Sequence, residues 1–502
     1  MKKVIQKNFY LICFLLFVGL TLTISPLGDD WYYKTAPNIH FTLQDLLPAR
    51  SFWRPFDAVF GMIIGFAPRL FPYINRICVI FGHILNVYLL KKILELLNIK
   101  NTRRSKAAED STNSGQIAEN SEKMGRFTLH PLSFAILFAM FSSSVYATVL
   151  SPDALNQVFS LLFGLLGIYL YLKDQNTVKY IIMSAISLFW KESGIVWICI
   201  IPFIDIMFSV KRIKDLYKDR SVLKRIIKSA VIAVLFVIIY FTARFTLFGA
   251  ITLGSSGGKH ALSFFSPKTV KNFINIFANA LSGLDTIALF VKPVNYILLG
   301  ITALLSVIFA VIVSWAFISK IKNKEDMLPL FTMIVTALVT TLPHVIMGQA
   351  GEMHVYPTVF MIAAVFAFLF KKVKISGKAL CAGMLSIFIA FGISGAHKLV
   401  AIYEYSNSVK ELTEEMHEIY DPDKSLLVIS ADQKSGYSVY SQSAAYGSYY
   451  GYSLKPYYGW KELKLEHEVT KGQEELDECI EMNRDKYDVI WVISDDRITV
   501  VD

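Results

Sequence analysis

Charge is scarce in this chain. Only 18% of its 502 residues are Asp, Glu, Lys or Arg, against about 25% in soluble domains, and this shortage excludes an ordinary soluble enzyme. Acid is scarcer than base: 40 Asp and Glu stand against 50 Lys and Arg, a net charge of +10. Cysteine is thin as well. Cys13, Cys78, Cys199 and Cys381 lie in apolar runs, and Cys479 stands alone in the polar C-terminal region. Their spacing offers neither a disulfide framework nor a zinc site, so all five read as packing residues. No internal repeat recurs at a fixed period, which argues against transporters assembled from inverted repeats. The stretch Gly254-Ser255-Ser256-Gly257-Gly258 before Lys259-His260 has no preceding strand and no P-loop spacing, and reads as a flexible loop.

Apolar residues fill the space that charge leaves. The chain is 54% hydrophobic and 14% aromatic, with a mean hydropathy of +0.46, the composition of a chain dissolved in lipid. About eleven runs approach the roughly 17–25 apolar residues that a spanning helix needs: 9–25, 74–94, 132–150, 155–172, 178–190, 194–208, 229–248, 296–318, 328–347, 356–370 and 379–395. The runs 178–190 and 194–208 are short and share the hinge Lys191-Glu192, the pattern of a broken hairpin. The first run follows Met1-Lys2-Lys3 as a signal peptide would, but it lacks a small-residue cleavage site and is read as a helix.

The basic residues orient these runs. With the N-terminus in the cytoplasm, Lys2, Lys3 and Lys7, Arg103-Arg104-Ser105-Lys106, the dense 211–228 stretch, Lys320/Lys322/Lys324 and Lys371/Lys372/Lys374 all fall inside. That puts roughly 26 basic residues inside against roughly 9 outside, the asymmetry that sets orientation. The charge surplus is therefore topological, with no nucleic-acid partner implied. The expected fold is an all-α polytopic membrane protein of about 11 transmembrane helices over residues 1–395, followed by a small extracytoplasmic α/β domain over 396–502. Within that last region 407–420 reads as an amphipathic helix, 425–430 and 487–494 as buried strands, and 474–482 as a further helix. Residues 97–127, rich in Ser, Asn, Glu and Lys, read as a disordered cytoplasmic loop, and 249–293 as a long outer loop able to gate a site.

In such a chain an ionisable group in or beside a span is a functional candidate, because desolvating it is costly. Most such groups fall on the outer side: Asp29-Asp30, Arg50 and Arg54, Asp153, Lys191-Glu192, Arg244, and Glu352, His354 and Tyr356. Each also has a plain structural reading. Asp29-Asp30 can be solvated loop acids, and Ser151-Pro152-Asp153 a helix start. Lys191-Glu192 can form an interfacial ion pair, and Arg244 can snorkel to headgroups. His83 and His344 read as polar packing residues between helices.

The order of short motifs is more informative. Gly28-Asp29-Asp30-Trp31 follows the first span and Arg54-Pro55 comes later in the same loop; His83 and Asn86 sit three apart in the next span. Ser151-Pro152-Asp153-Ala154-Leu155 opens the fourth, and Trp190-Lys191-Glu192-Ser193-Gly194, Tyr240 to Arg244 and Glu352-Met353-His354-Val355-Tyr356-Pro357 follow. Over residues 1–370 this order resembles the GT-C superfamily of polytopic glycosyltransferases, which use polyprenyl-phosphate-linked sugars. Protein O-mannosyltransferases and bacterial relatives that modify envelope polymers and lipids are similar. Two features depart from that pattern. Met353 stands where those proteins often carry Arg, which leaves His354 as the local phosphate or acid partner, and a short α/β domain replaces a tetratricopeptide tail.

The resemblance implies a cell-membrane, multi-pass transferase. Its donor is a polyprenyl-phosphate sugar and its acceptor a hydroxyl on a protein, glycolipid or envelope polymer at the outer face of the bilayer. Inversion needs a base, and Asp30 is the first candidate, with Asp29 orienting it or touching the acceptor. A neighbouring carboxylate at a partly desolvated rim should raise its basicity. Arg54, Lys191 and Arg244 are the candidates for the donor phosphate, with Glu192 positioning Lys191. Asp153, Glu352, His354 and Tyr356 are secondary candidates. The resemblance fixes no cofactor; the adjacent acids with His354 could instead hold a divalent metal, as in some GT-C relatives, but the ligands cannot be read from spacing. Two other classes fit the same spans: a flippase of lipid-linked saccharides, and a non-catalytic envelope-assembly protein.

Overall fold

Long apolar runs in a bilayer satisfy their own backbone as helices, and the chain is built largely of them. The computed structural model describes residues 2–28, 30, 54–56, 59–60, 73–109, 130–151, 154–209, 220–248, 267–290, 294–323, 327–346, 351–371, 373, 375–431, 451–459, 461–470, 472–494 and 497–501. The first helices are α1 (Lys2–Leu22), α2 (Tyr73–Glu109) and α3 (Pro131–Phe141). A 3-10 turn at Ser143–Val145 leads into α4 (Tyr146–Val149), then α5 (Leu155–Asp174) and α6 (Thr177–Trp190). A second 3-10 turn, Glu192–Ile195, precedes α7 (Val196–Cys199) and α8 (Ile201–Ser209). Then come α9 (Arg220–Phe248), α10 (Pro267–Leu281), α11 (Thr286–Phe290), α12 (Tyr296–Asn323), α13 (Met327–Ile346), α14 (Glu352–Leu369) and α15 (Gly377–Ile419).

Among the described residues eight helices are long and apolar enough to cross a membrane, fewer than the runs counted in the sequence. The first run forms a shorter apolar helix, Asn8–Leu22, and the run 178–190 lies in the 14-residue α6. The run 194–208 is broken into a 3-10 turn, α7 and α8. Pro202 explains the restart: it lacks an N–H and is tolerated in the first turn of a helix, not in its interior. The loop expected over 97–127 also begins later, because α2 continues to Glu109 through Lys, Arg and Ala, all good helix formers. The expected outer loop 249–293 likewise contains α10 and α11. Apolar residues recur in α10 at helical spacing, and Ile276 and Ala280 are buried in the bundle core, while the segment is too short and polar to count as a span.

One core runs through the bundle, with Val79, Phe134, Phe138, Val158, Phe360 and Phe366 fully buried within it. The helices α9 and α12 are different: only 17% and 11% of their apolar windows are covered. Ile239, Leu304 and Val311 stand more than half exposed. Apolar surface on that scale suits a lipid surround. Helix α12 packs mainly along α15.

α15 has 43 residues and runs through position 396 without interruption, so the expected domain boundary there falls inside a helix. No Gly or Pro stands between Ala396 and Tyr420, and the helix stops just before Asp421-Pro422. Beyond it lie β1 (Leu426–Ser430), β2 (Leu465–Val469), α16 (Gln473–Asn483), β3 (Val489–Ser494) and β4 (Arg497–Val501). The sheet order is β2-β1-β3-β4, parallel except for β4. Strand β1 is buried throughout, as its unbroken Leu-Leu-Val-Ile run requires of a central parallel strand. One face of the sheet packs on α15 and on the exit of α1, where Ile24, Leu27, Met416, Val428 and Trp491 share a cluster. The other face is closed by Leu476 and Cys479 of α16. All five cysteines are free, and burial pushes the Cys479 thiol up to about 11, which keeps it an inert packing group.

His467 on β2 pairs with Ser430 Oγ through Nε2 at 3.0 Å. Burial holds its ring down to about 3. The unfolded chain takes up a proton near its ordinary value of about 6.5 while the folded domain refuses it. Stability is therefore full above about pH 6.5 and declines as pH falls toward 3. Amide exchange of β1 and β2 between pH 7 and pH 4.5, corrected for intrinsic rates, should show this loss. His467→Asn should flatten the dependence; an unchanged slope in that variant would contradict the assignment.

Candidate functional site

The exit of α1 is shaped by its backbone. Gly28 takes a left-handed φ of 57°, a conformation glycine adopts without strain, and Asp30 N–H donates to Leu27 O at 3.2 Å. The Asp30 side chain is 2% exposed. Its Oδ2 accepts from Leu27 N–H at 3.0 Å and from the Arg76 guanidinium at 2.5 Å. Asp30 is thus held in a buried ion pair with Arg76. Asp29 and Asp153 lie outside the described residues.

Two of the phosphate candidates, Arg54 and Lys191, lie at Glu192. A reverse at Lys191, with φ −154° and ψ 137°, ends α6 and turns the chain into the 3-10 segment. Gly194 makes that turn feasible, because a Cβ there would sit 2.6 Å from the carbonyl of Ser187. Glu192 is buried and accepts Arg54 Nε at 2.9 Å, with the second guanidinium nitrogen at 2.8 Å. The carboxylate expected to position Lys191 therefore grips Arg54 directly. Arg244, 3% exposed near the end of α9, donates to the Tyr240 hydroxyl at 3.1 Å one turn back. Tyr240 lies within electrostatic reach of Arg244, Glu192 and Arg54 together. Lys191 lies within reach of His344 on α13, whose ring packs 5.1 Å from that of His354 on α14. Arg54 and Glu192 thus form one paired group next to Lys191, Arg244 and Tyr240 a second on α9, and His344 with His354 a third.

Two secondary candidates sit elsewhere. Glu352 is buried at the start of α14. It accepts from Thr286 Oγ1 at 2.7 Å and is paired with Lys398 of α15, whose ammonium also donates to Ser143 O at 3.0 Å. Tyr356 lies in the bundle core, where its hydroxyl contacts His83 Nδ1 at 2.9 Å and accepts from Asn86 Nδ2 at 3.1 Å. This node ties α2 to α14, in keeping with His83 as a packing residue, and Tyr356 belongs to that node and not to an open site. Among the described residues no three His, Cys, Asp or Glu side chains gather as metal ligands.

Sequence reasoning missed Arg76, Lys398 and the Asp285–His397 pair, which meets at 2.6 Å. A signal existed for the first two, since each is a cation embedded in or next to an apolar run. A further buried acid, Asp205, joins three helices away from these clusters: it accepts from Tyr171 and Ser229 at 2.6 Å each and pairs with Arg225 at 3.3 Å. Both of its oxygens are engaged, so it acts as a brace. No protein-family model matches the chain, and no curated protein matches it.

Proposed function

We propose that this protein is a membrane glycosyltransferase that moves a sugar from a polyprenyl-phosphate donor to an acceptor hydroxyl at the outer face of the cell membrane. The observation that supports the reading is the Arg54–Glu192 pair beside Lys191, together with the buried Arg244 on Tyr240 and the packed rings of His344 and His354. A phosphate leaving group gains negative charge as its bond to the anomeric carbon breaks, and buried cations stabilise that charge most where water is excluded. Arginine offers a planar fork to two oxygens and lysine a point charge. The acceptor oxygen attacks the anomeric carbon from the opposite face, the bond to the phosphate oxygen breaks, and the hydroxyl proton passes to an acid of the Asp29-Asp30 segment.

In this reading the N-terminus is cytoplasmic and about eleven segments cross the bilayer, with α1, α6 and the broken α7–α8 segment as the short ones. The C-terminal sheet then stands outside, above the exit of α1. The acceptor is a protein, glycolipid or envelope polymer. The deciding experiment is sugar release from a labelled polyprenyl-phosphate donor by purified protein in detergent, followed by the same protein in liposomes. Transfer to a hydroxyl acceptor supports the reading. Movement of intact lipid without cleavage would replace it with a flippase, and neither activity would leave a scaffold.

A further inference from the structure

Arg76 stands in the first turn of α2, where a span would ordinarily carry an apolar side chain, yet it is 1% exposed. Its fork serves three acceptors at the exit of α1: Ile24 O at 2.7 Å, Ser25 O at 3.3 Å and Asp30 Oδ2 at 2.5 Å. The same stretch is held from a second direction. Ser25 N–H donates to Ser406 Oγ of α15 at 3.3 Å, and Ile24 and Leu27 pack against Ile402 and Val409. A buried ion pair is weak evidence of stabilisation, since an apolar pair of the same volume often does as well. What a guanidinium adds is direction: a rigid set of donors that orients a backbone segment and a carboxylate at once.

We propose that Arg76 is a positioning residue, which fixes the exit of α1 with Asp30 as its anchor so that the outer acidic segment meets the acceptor hydroxyl in one orientation. The inference rests on the transferase reading and reassigns Asp30 within it. A carboxylate already bound to a guanidinium and an amide is a weak proton acceptor, so the proton passes to another acid of the outer loops, Asp29 being next in sequence. Ser406 and the outward half of α15 make the C-terminal domain part of the same support.

The test uses the full chain in detergent with Arg76→Lys, Arg76→Met and Asp30→Asn, read by amide exchange of residues 20–30 and by transfer kinetics. Arg76→Lys should keep its unfolding temperature yet speed exchange of that segment about tenfold. In the same variant kcat should fall roughly 100-fold with the donor KM unchanged, as small misplacements at a reacting centre do. Arg76→Met combined with Asp30→Asn should lose less than the sum of the two variants, because both remove the Arg76–Asp30 contact. Where Arg76→Lys does not yield folded protein, the isosteric Asp30→Asn serves for the same exchange measurement. Exchange does not depend on activity: wild-type protein that transfers no sugar removes the transferase reading, while exchange still judges the anchor. Unchanged exchange in Arg76→Lys overturns the proposal, as does faster exchange with unaltered kcat. Loss of transfer in Asp30→Asn but not in Arg76→Met also overturns it, by making Asp30 the base.

Discussion

Replacing Lys398 with methionine is expected to cost about 3–5 kcal/mol, the penalty for leaving one partner of a buried ion pair alone. Lys398 and Glu352 are 1% and 7% exposed, so water cannot compensate the lost ammonium. The ammonium also closes a wider network. Lys398 reaches Ser143 O, Glu352 receives Thr286, and the preceding residue, His397, meets Asp285 at the head of α11. Losing the cation therefore loosens α15 from α14, α11 and the 3-10 turn at Ser143–Val145 together. The pair itself is dispensable in principle: Lys398→Met with Glu352→Leu should recover most of the loss, since an apolar pair removes both desolvation penalties. Thermal unfolding of the single and double variants in detergent checks both statements. A double variant as unstable as the sum of the singles would show that the two side chains act independently.

The second large effect concerns the donor. Arg244→Ala should weaken binding of a polyprenyl-phosphate sugar by about 1.5–3 kcal/mol, or roughly 10- to 150-fold in Kd, the range for hydrogen bonds to a charged group. Arg54→Ala should weaken it similarly and also strip Glu192 of its guanidinium. Arg244→Lys should fall between, because it keeps the charge and loses the fork. Titration of the purified variants with labelled donor reads the effect directly. Unchanged affinity in Arg244→Ala would remove that residue from the phosphate group. Equal loss in a variant of the remote Asp205 brace would point to general misfolding.

Much of the architecture was legible without coordinates. Apolar runs, whose hydropathy is a local property, marked the helices of the bundle. The segments 425–430, 474–482 and 487–494 reappear as β1, α16 and β3, because period and β-branching reflect which face is covered. Strand β2 was less readable: the exposed Glu466 and Glu468, with His467 between them, look like loop polarity until the strand is seen beside β1. The continuity of α15 was missed for a different reason: 379–395 and 407–420 read as two helices, and the structure joins them. The apolar stretch stops near 395, but a helix stops only where a breaker or cap ends it, here at Asp421-Pro422.

The candidate site divides in the same way. By itself the sequence determined which residues are costly to bury, and Asp30, Arg54, Lys191, Glu192, Arg244, Glu352 and His354 all stood out as charges or imidazoles beside apolar runs. Only the tertiary structure decided their partners. Glu192 took Arg54 from 138 positions away. Asp30 and Glu352 each took a cation 46 positions away, and Tyr356 was drawn into a core node with His83. The physical reason is that desolvation cost belongs to a side chain and can be read where it stands. The charge that offsets it belongs to whichever helix packing brings within 3 Å or so.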